Sequence, residues 1–152
     1  MARSHGKILS SVWRDDDWLK LSANAQRTYV LLLSQPKMSL CGTLDLAERR
    51  WGRMARDTSE SDINAGLLEL QNDGFIVADG ITEELAVRSF VRHDLNTGRM
   101  NGNLAKGFWR AWLGLESDVL REVIVAEVPD DLWAKLEEHA PPEALDLWEE
   151  LR

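Results

Sequence analysis

The chain has 152 residues, 44% of them hydrophobic and 29% charged, which fits one globular domain or a domain with an extension and excludes a fibrous or intrinsically disordered protein. With 18 Lys and Arg against 26 Asp and Glu, the net charge of -8 leaves no overall footprint for nucleic acid, so local clusters must carry any such role. A single cysteine, Cys41, excludes an internal disulfide, His5, His93 and His139 are too scattered for a zinc site, and apolar runs such as Tyr29 to Leu33 are too short to span a bilayer. We therefore expect an intracellular, cytoplasmic protein with no metal, no cofactor and no membrane partner.

In chain order, Ser22 is placed to cap a helix running to about Ser34, with Ala25, Tyr29, Leu32 and Leu33 as its apolar stripe and Gln35-Pro36 ending it. Leu40 to Leu44 reads as a short strand around the turn-forming Gly42. Asp45-x-x-Glu48 has the form of a capping box and predicts a helix to about Ala55. A second box, Ser59-x-x-Asp62, predicts a helix to Asn72 in which Ile63, Leu67 and Leu70 share one face, and Asp73-Gly74 supplies its left-handed stop. The period then changes to two. Phe75 to Asp79 and Leu85 to Val91 flank a turn at Gly80 to Glu84, which predicts a β-hairpin. Asn96 to Asn103 is a polar loop, and beyond it Leu104 to Leu113, Ser117 to Glu127, Asp130 to His139 and Glu143 to Leu151 read as four helices, the later ones separated by Pro129 and Pro141-Pro142.

Helix, short strand, helix, turn, helix, hairpin is the order of a winged helix-turn-helix domain, in which the third helix and the hairpin wing commonly approach DNA. The expected architecture is therefore mostly α with a small β-hairpin wing: a winged helix-turn-helix domain over residues 1–95 and a helical extension with an acidic end over residues 96–152.

Four strings carry a resemblance: Trp13-Arg14-Asp15, Leu21 to Arg27, the Arg49-Arg50-Trp51 segment, and Val87 to Asp94. They look like the small helix-turn-helix proteins of actinobacterial phages, some similar to N-terminal domains of phage replication proteins. Ser117 to Glu127 looks like the helix that follows the domain in that group, so the resemblance covers most of residues 8–128. It implies a bacteriophage DNA-binding protein of transcription regulation or DNA replication, working in the cytoplasm of a bacterial host, and it supplies no catalytic residues.

The residues themselves give candidates for that contact. On a helix reaching Ala55, Arg49, Arg53 and Arg56 fall together, opposite Ala47, Trp51, Met54 and Ala55, and could neutralise successive phosphates of double-stranded DNA. The plain alternative is a solvated face paired with Glu48 and Asp57. Alternation along a strand puts Arg88 and Arg92 on one side of the wing, although Arg88 serves equally well as a stem over the core whose head reaches an acid. The third helix has no Lys or Arg. Asn64, Gln71 or Asn72 could read adenine, while Glu60, Asp62 and Glu69 would repel phosphate if they faced it.

Seven Trp residues raise the possibility of base stacking, yet their helical spacing favours packing, with Trp13 and Trp18 undecided. No phosphate loop, nucleophile elbow or carboxylate–histidine constellation points to catalysis, and Asp15-Asp16-Asp17 reads as a helix-start cluster. Residues 1–110 carry 15 bases and 14 acids, whereas residues 111–152 carry 3 and 12. Leu132, Trp133, Leu136, Leu145, Leu147, Trp148 and Leu151 give that acidic end apolar stripes. They would pack on the chain's own winged helix or, alternatively, on a second copy in a homodimer or on a replication or transcription protein. Like-charge repulsion would hold the acidic end away from DNA, so that deleting residues 129–152 strengthens non-specific binding. The other reading of the whole chain is thus a protein–protein interaction module using the winged helix or its acidic extension.

Overall fold

The computed structural model describes residues 3–95 and 99–152; the boundary expected at Asn96 falls, with residues 96–98, outside them. Among the described residues the chain is mostly helical with a small three-stranded antiparallel sheet, and no helix is long and apolar enough to cross a membrane.

Local capping accounts for most helix starts. A 3-10 turn, Ser10–Arg14, leads to α1 (Asp16–Leu19), where the Asp15 carboxylate accepts the Asp17 amide at 2.9 Å. In α2 (Ala23–Leu33), Ser22 Oγ accepts the Ala25 amide at 3.1 Å and satisfies one of the donors left free by the first turn. Strand β1 (Thr43–Asp45) follows, and then α3 (Glu48–Trp51).

Here the expected capping box at Asp45 fails. Asp45 is the last residue of β1, held opposite Glu84 of the neighbouring strand, and α3 starts after Ala47 without a side-chain cap. Nor does the helix reach Ala55. The Thr58 hydroxyl donates to the carbonyls of Gly52 (3.1 Å) and Ala55 (3.3 Å), removing acceptors that a continuing helix needs, and pins the chain in a turn. Gly52 sits so close to the next helix that a Cβ there would lie 2.5 Å from the Glu60 nitrogen.

The Ser59 box forms as the sequence predicts. Ser59 Oγ accepts the Asp62 amide and the Asp62 carboxylate accepts the Ser59 amide at 2.8 Å, opening α4 (Glu60–Asn72), which ends at Gly74 with φ 81°. Strands β2 (Ile76–Asp79) and β3 (Glu84–Val87) pair antiparallel from Ile76↔Val87 to Asp79↔Glu84. With Thr43↔Ala86 on the other edge, the sheet order is β1-β3-β2. All four residues of β3 are buried, so both of its faces are covered.

The second strand of the hairpin is shorter than Leu85 to Val91. Past Val87 one more cross-chain bond forms, from the Arg88 amide to the Phe75 carbonyl at 3.1 Å, and the amides of Arg92 and His93 then turn back to the Ser89 carbonyl to form α5 (Phe90–His93). Phe90 is packed on Gly42, where φ is 82° and a Cβ would lie 2.6 Å from the Phe90 Cβ and 2.8 Å from the ring.

Helices α6 (Gly102–Leu113), α7 (Asp118–Glu127), α8 (Asp130–Glu137) and α9 (Pro142–Leu151) complete the chain. Their apolar stripes are spent internally. Helix α7 packs on β2, β3 and α5, α8 on α6, and α9 on α7. The buried Phe108, Trp109, Trp112 and Trp148 meet at ring separations of 5.2 to 6.4 Å, and Trp133 stacks on Trp148 at 4.8 Å. The Trp109 indole N–H donates to the Leu136 carbonyl at 2.8 Å, which satisfies the polar atom of a fully buried ring.

Candidate nucleic-acid interface

Helix α4 presents two very different faces. Inward, Ile63, Leu67 and Leu70 are buried, and Gly66 lets α4 cross directly over Thr28 of α2. Two of its acids are used internally. Asp62 closes the capping box, and Glu69 accepts the Ser22 amide at 2.7 Å and the Ser22 hydroxyl at 2.8 Å, capping α2 from 47 residues away. Asp62 and Glu69, both half-buried, are thus engaged by hydrogen bonds within the protein, although each keeps its negative charge.

Apart from Glu60, the exposed outward stripe of α4 is uncharged. Ser61, Asn64, Ala65, Leu68 and Asn72 are all exposed, at spacings of three, four and seven that keep them on one side. Leu68, 60% exposed, is the large apolar member. Gln71, also exposed, is committed through its side-chain oxygen, which accepts the Ala78 amide at 2.9 Å. Glu60 is the exposed acid at the start of the helix.

Directly before α4 lie the arginines. Arg49 and Arg50 are on α3, and Arg53 and Arg56 are in the turn after it, so the single helical stripe expected for Arg49, Arg53 and Arg56 does not form. Met54, expected on the inward side with Trp51, is exposed for the same reason, whereas Trp51 is fully buried. All four arginines are nonetheless exposed, and among the described residues none makes an ion pair or side-chain hydrogen bond. The pairing with Glu48 or Asp57 that the alternative reading required is absent among the described residues.

The hairpin side differs from the strand geometry expected for it. Arg88 follows β3 and Arg92 lies on α5, so strand alternation does not align them. A third residue does. Glu127, at the end of α7, accepts Arg88 Nε on one carboxylate oxygen and Arg92 Nη2 on the other, both at 3.0 Å. Its side chain is 11% exposed. The reading of Arg88 as reaching an acid describes its position, and Arg92 shares that acid.

The hairpin turn carries no base. The Asp79 carboxylate accepts the amides of Ile81 and Thr82 and, at 2.6 Å, the Ser117 hydroxyl, and Glu83 takes φ 59°. The Ser117 hydrogen bond, joined by those amides, holds the Asp79 carboxyl below its ordinary range. Glu84 accepts the Ser117 amide at 2.9 Å. The turn is thereby attached to the start of α7, with Ile81 at its tip 96% exposed.

Of the tryptophans, Trp18, Trp51, Trp109, Trp112 and Trp148 are buried and present no face for a base, while Trp13 is 62% exposed and meets Trp18 edge-on at 6.0 Å. Sequence reasoning could not find the Glu69–Ser22 and Glu127–Arg pairings, because both join residues dozens of positions apart. No protein-family model matches the chain, and comparison with curated proteins and with solved structures finds no match.

Proposed function

We propose that the chain is a DNA-binding protein of winged-helix type, with α2, α3 and α4 as the helical core, β2 and β3 as the wing, and double-stranded DNA as its partner. The order of these elements and the sheet order β1-β3-β2 support the architecture. One observation carries the function: four exposed arginines, unpaired among the described residues, immediately precede a helix whose Asp62 and Glu69 are hydrogen-bonded within the protein and whose outward stripe, apart from Glu60, is uncharged.

In this reading Arg49, Arg53 and Arg56 bind phosphate and set register, and α4 meets base edges. Asn64 donates and accepts at an adenine edge, and Ala65 and Leu68 give apolar contact to a thymine methyl. The wing has a smaller share, since Glu127 occupies Arg88 and Arg92. The resemblance to actinobacterial phage proteins supports a role in transcription control or replication and supplies no catalytic residues.

A second reading, a module that docks on a replication or transcription protein, is favoured by the exposed Ile8, Leu9, Trp13 and Leu19 of the N-terminal segment. Incubating the purified protein with a fragmented phage genome and mapping the retained fragments separates these readings. Enrichment at promoters supports regulation and enrichment at an origin supports replication. No enrichment refutes sequence-specific DNA binding and leaves the docking module.

A further inference from the structure

A groove of about 540 Å³ lies between β1, α3 and the end of α6. Three basic side chains from separate parts of the chain line it: Lys37 after α2, Arg50 on α3 and Arg110 in the last turn of α6. All three are exposed, and among the described residues none has an ion-pair partner. Asp45 and Glu84 also line the groove, but Glu84 is buried and its carboxylate is taken up by the amides of Glu116 and Ser117. The bases therefore outnumber the acids that remain open, in a protein whose net charge is -8.

We infer that this groove binds the phosphodiester backbone of the same DNA duplex, as a second track beside the Arg49, Arg53 and Arg56 segment. This rests on the DNA-binding reading above. The two tracks meet at α3, which carries Arg49 on one and the neighbouring Arg50 on the other. A polymer backbone suits the lining better than a small phosphorylated ligand does. The hydroxyls that would orient a small molecule, Ser39 Oγ and Thr43 Oγ1, are bonded to each other at 2.7 Å, leaving long exposed cations that suit repeated charges along a chain. Sequence alone gives no sign of this set, because Lys37, Arg50 and Arg110 lie in separate parts of the chain that only the fold brings to one groove.

The test is a titration of the full-length protein with labelled duplex DNA at several salt concentrations, comparing wild type with K37A/R50A/R110A and with R49A/R53A/R56A. Each lost phosphate contact lowers the salt slope by about 0.9, so the groove variant should lose about 2.7. Between about 50 and 200 mM salt its affinity should then fall about 40-fold less than that of wild type. Single variants K37Q, R50Q and R110Q, each expected to lower the slope by about 0.9, keep the test decisive if the triple variant does not fold. If wild type binds duplex and R49A/R53A/R56A lowers the slope but the groove variants do not, the groove inference is overturned and the DNA-binding reading stands. Absence of duplex binding by wild type overturns both. Saturable binding of ATP or inorganic phosphate that the groove variants abolish, with an unchanged DNA slope, assigns the groove to a small ligand and overturns the inference.

Discussion

Replacing Glu127 by Gln should make the protein less stable and, at the same time, a tighter non-specific DNA binder. The carboxylate bridges Arg88 and Arg92 at 3.0 Å each, with its own side chain 11% exposed and the two arginines 42% and 49% exposed. A fully exposed pair contributes about 0–1 kcal/mol, and breaking a buried one costs about 3–5. Half-exposed guanidinium groups are screened, and Gln keeps one acceptor, so the loss should be about 1–2 kcal/mol. For a chain of this size that lowers the thermal midpoint by about 2–8 °C. The substitution also removes one negative charge and releases two cations, which should steepen the salt dependence of duplex binding by up to about 1.8. Thermal unfolding by circular dichroism and anisotropy titrations across salt read the two effects separately. An unchanged midpoint would refute the bridging role, and a lowered midpoint with an unchanged slope would show that the released arginines do not reach DNA.

Two further substitutions probe the rest of the fold. Trp148→Ala removes the ring against which Phe108, Trp109, Trp112 and Trp133 pack and should cost about 3–5 kcal/mol in denaturant unfolding; a loss under 1 kcal/mol would contradict that arrangement. Because the Asp79 carboxyl is held below its ordinary value of 3.8, its contribution to stability is complete above that value and is lost as pH falls through the lower folded value. Asp79→Asn should therefore be less stable than wild type at neutral pH, with the gap in thermal midpoint closing below pH 3.8, and a gap that stays constant into strong acid would count against the cause assigned here.

Features governed by neighbours in sequence were legible from sequence. Ser22 and Ser59 cap the helices they precede because a cap is closed by an amide three residues on. The same reasoning misplaced Asp45, where pairing with β3 claimed the backbone first, and it overextended α3, which ends where Thr58 takes the carbonyls of Gly52 and Ala55. Arg88 to Val91 continued a period-two pattern, yet a strand also needs a neighbour, and the cross-chain bonding stops at the Arg88 amide and the Phe75 carbonyl. The charge pattern identified the arginines but not their surroundings. Which partner Glu69 of α4 takes was decided by Ser22, and whether the hairpin arginines are free was decided by Glu127 on a helix 39 residues beyond Arg88.

The acidic end also changes meaning once it is placed. Its apolar stripes pack on α6 and α7, with Leu132, Leu136, Ala144 and Trp148 buried. Removing residues 129–152 would strip Trp148 from the tryptophan cluster as well as removing charge. Truncation is therefore a test of folding, and single exposed acids such as Glu149 and Glu150 are the cleaner probes of repulsion from DNA.

The central claim is that exposed, unpaired arginines before α4 hold DNA by its phosphates. Its most direct test is the salt dependence of duplex binding by R49A/R53A/R56A against wild type, with the thermal midpoint measured alongside. The account predicts a slope lower by about 2.7 and a midpoint within a few degrees of wild type, since none of the three side chains has a partner to lose. Unchanged affinity with an unchanged slope would contradict it.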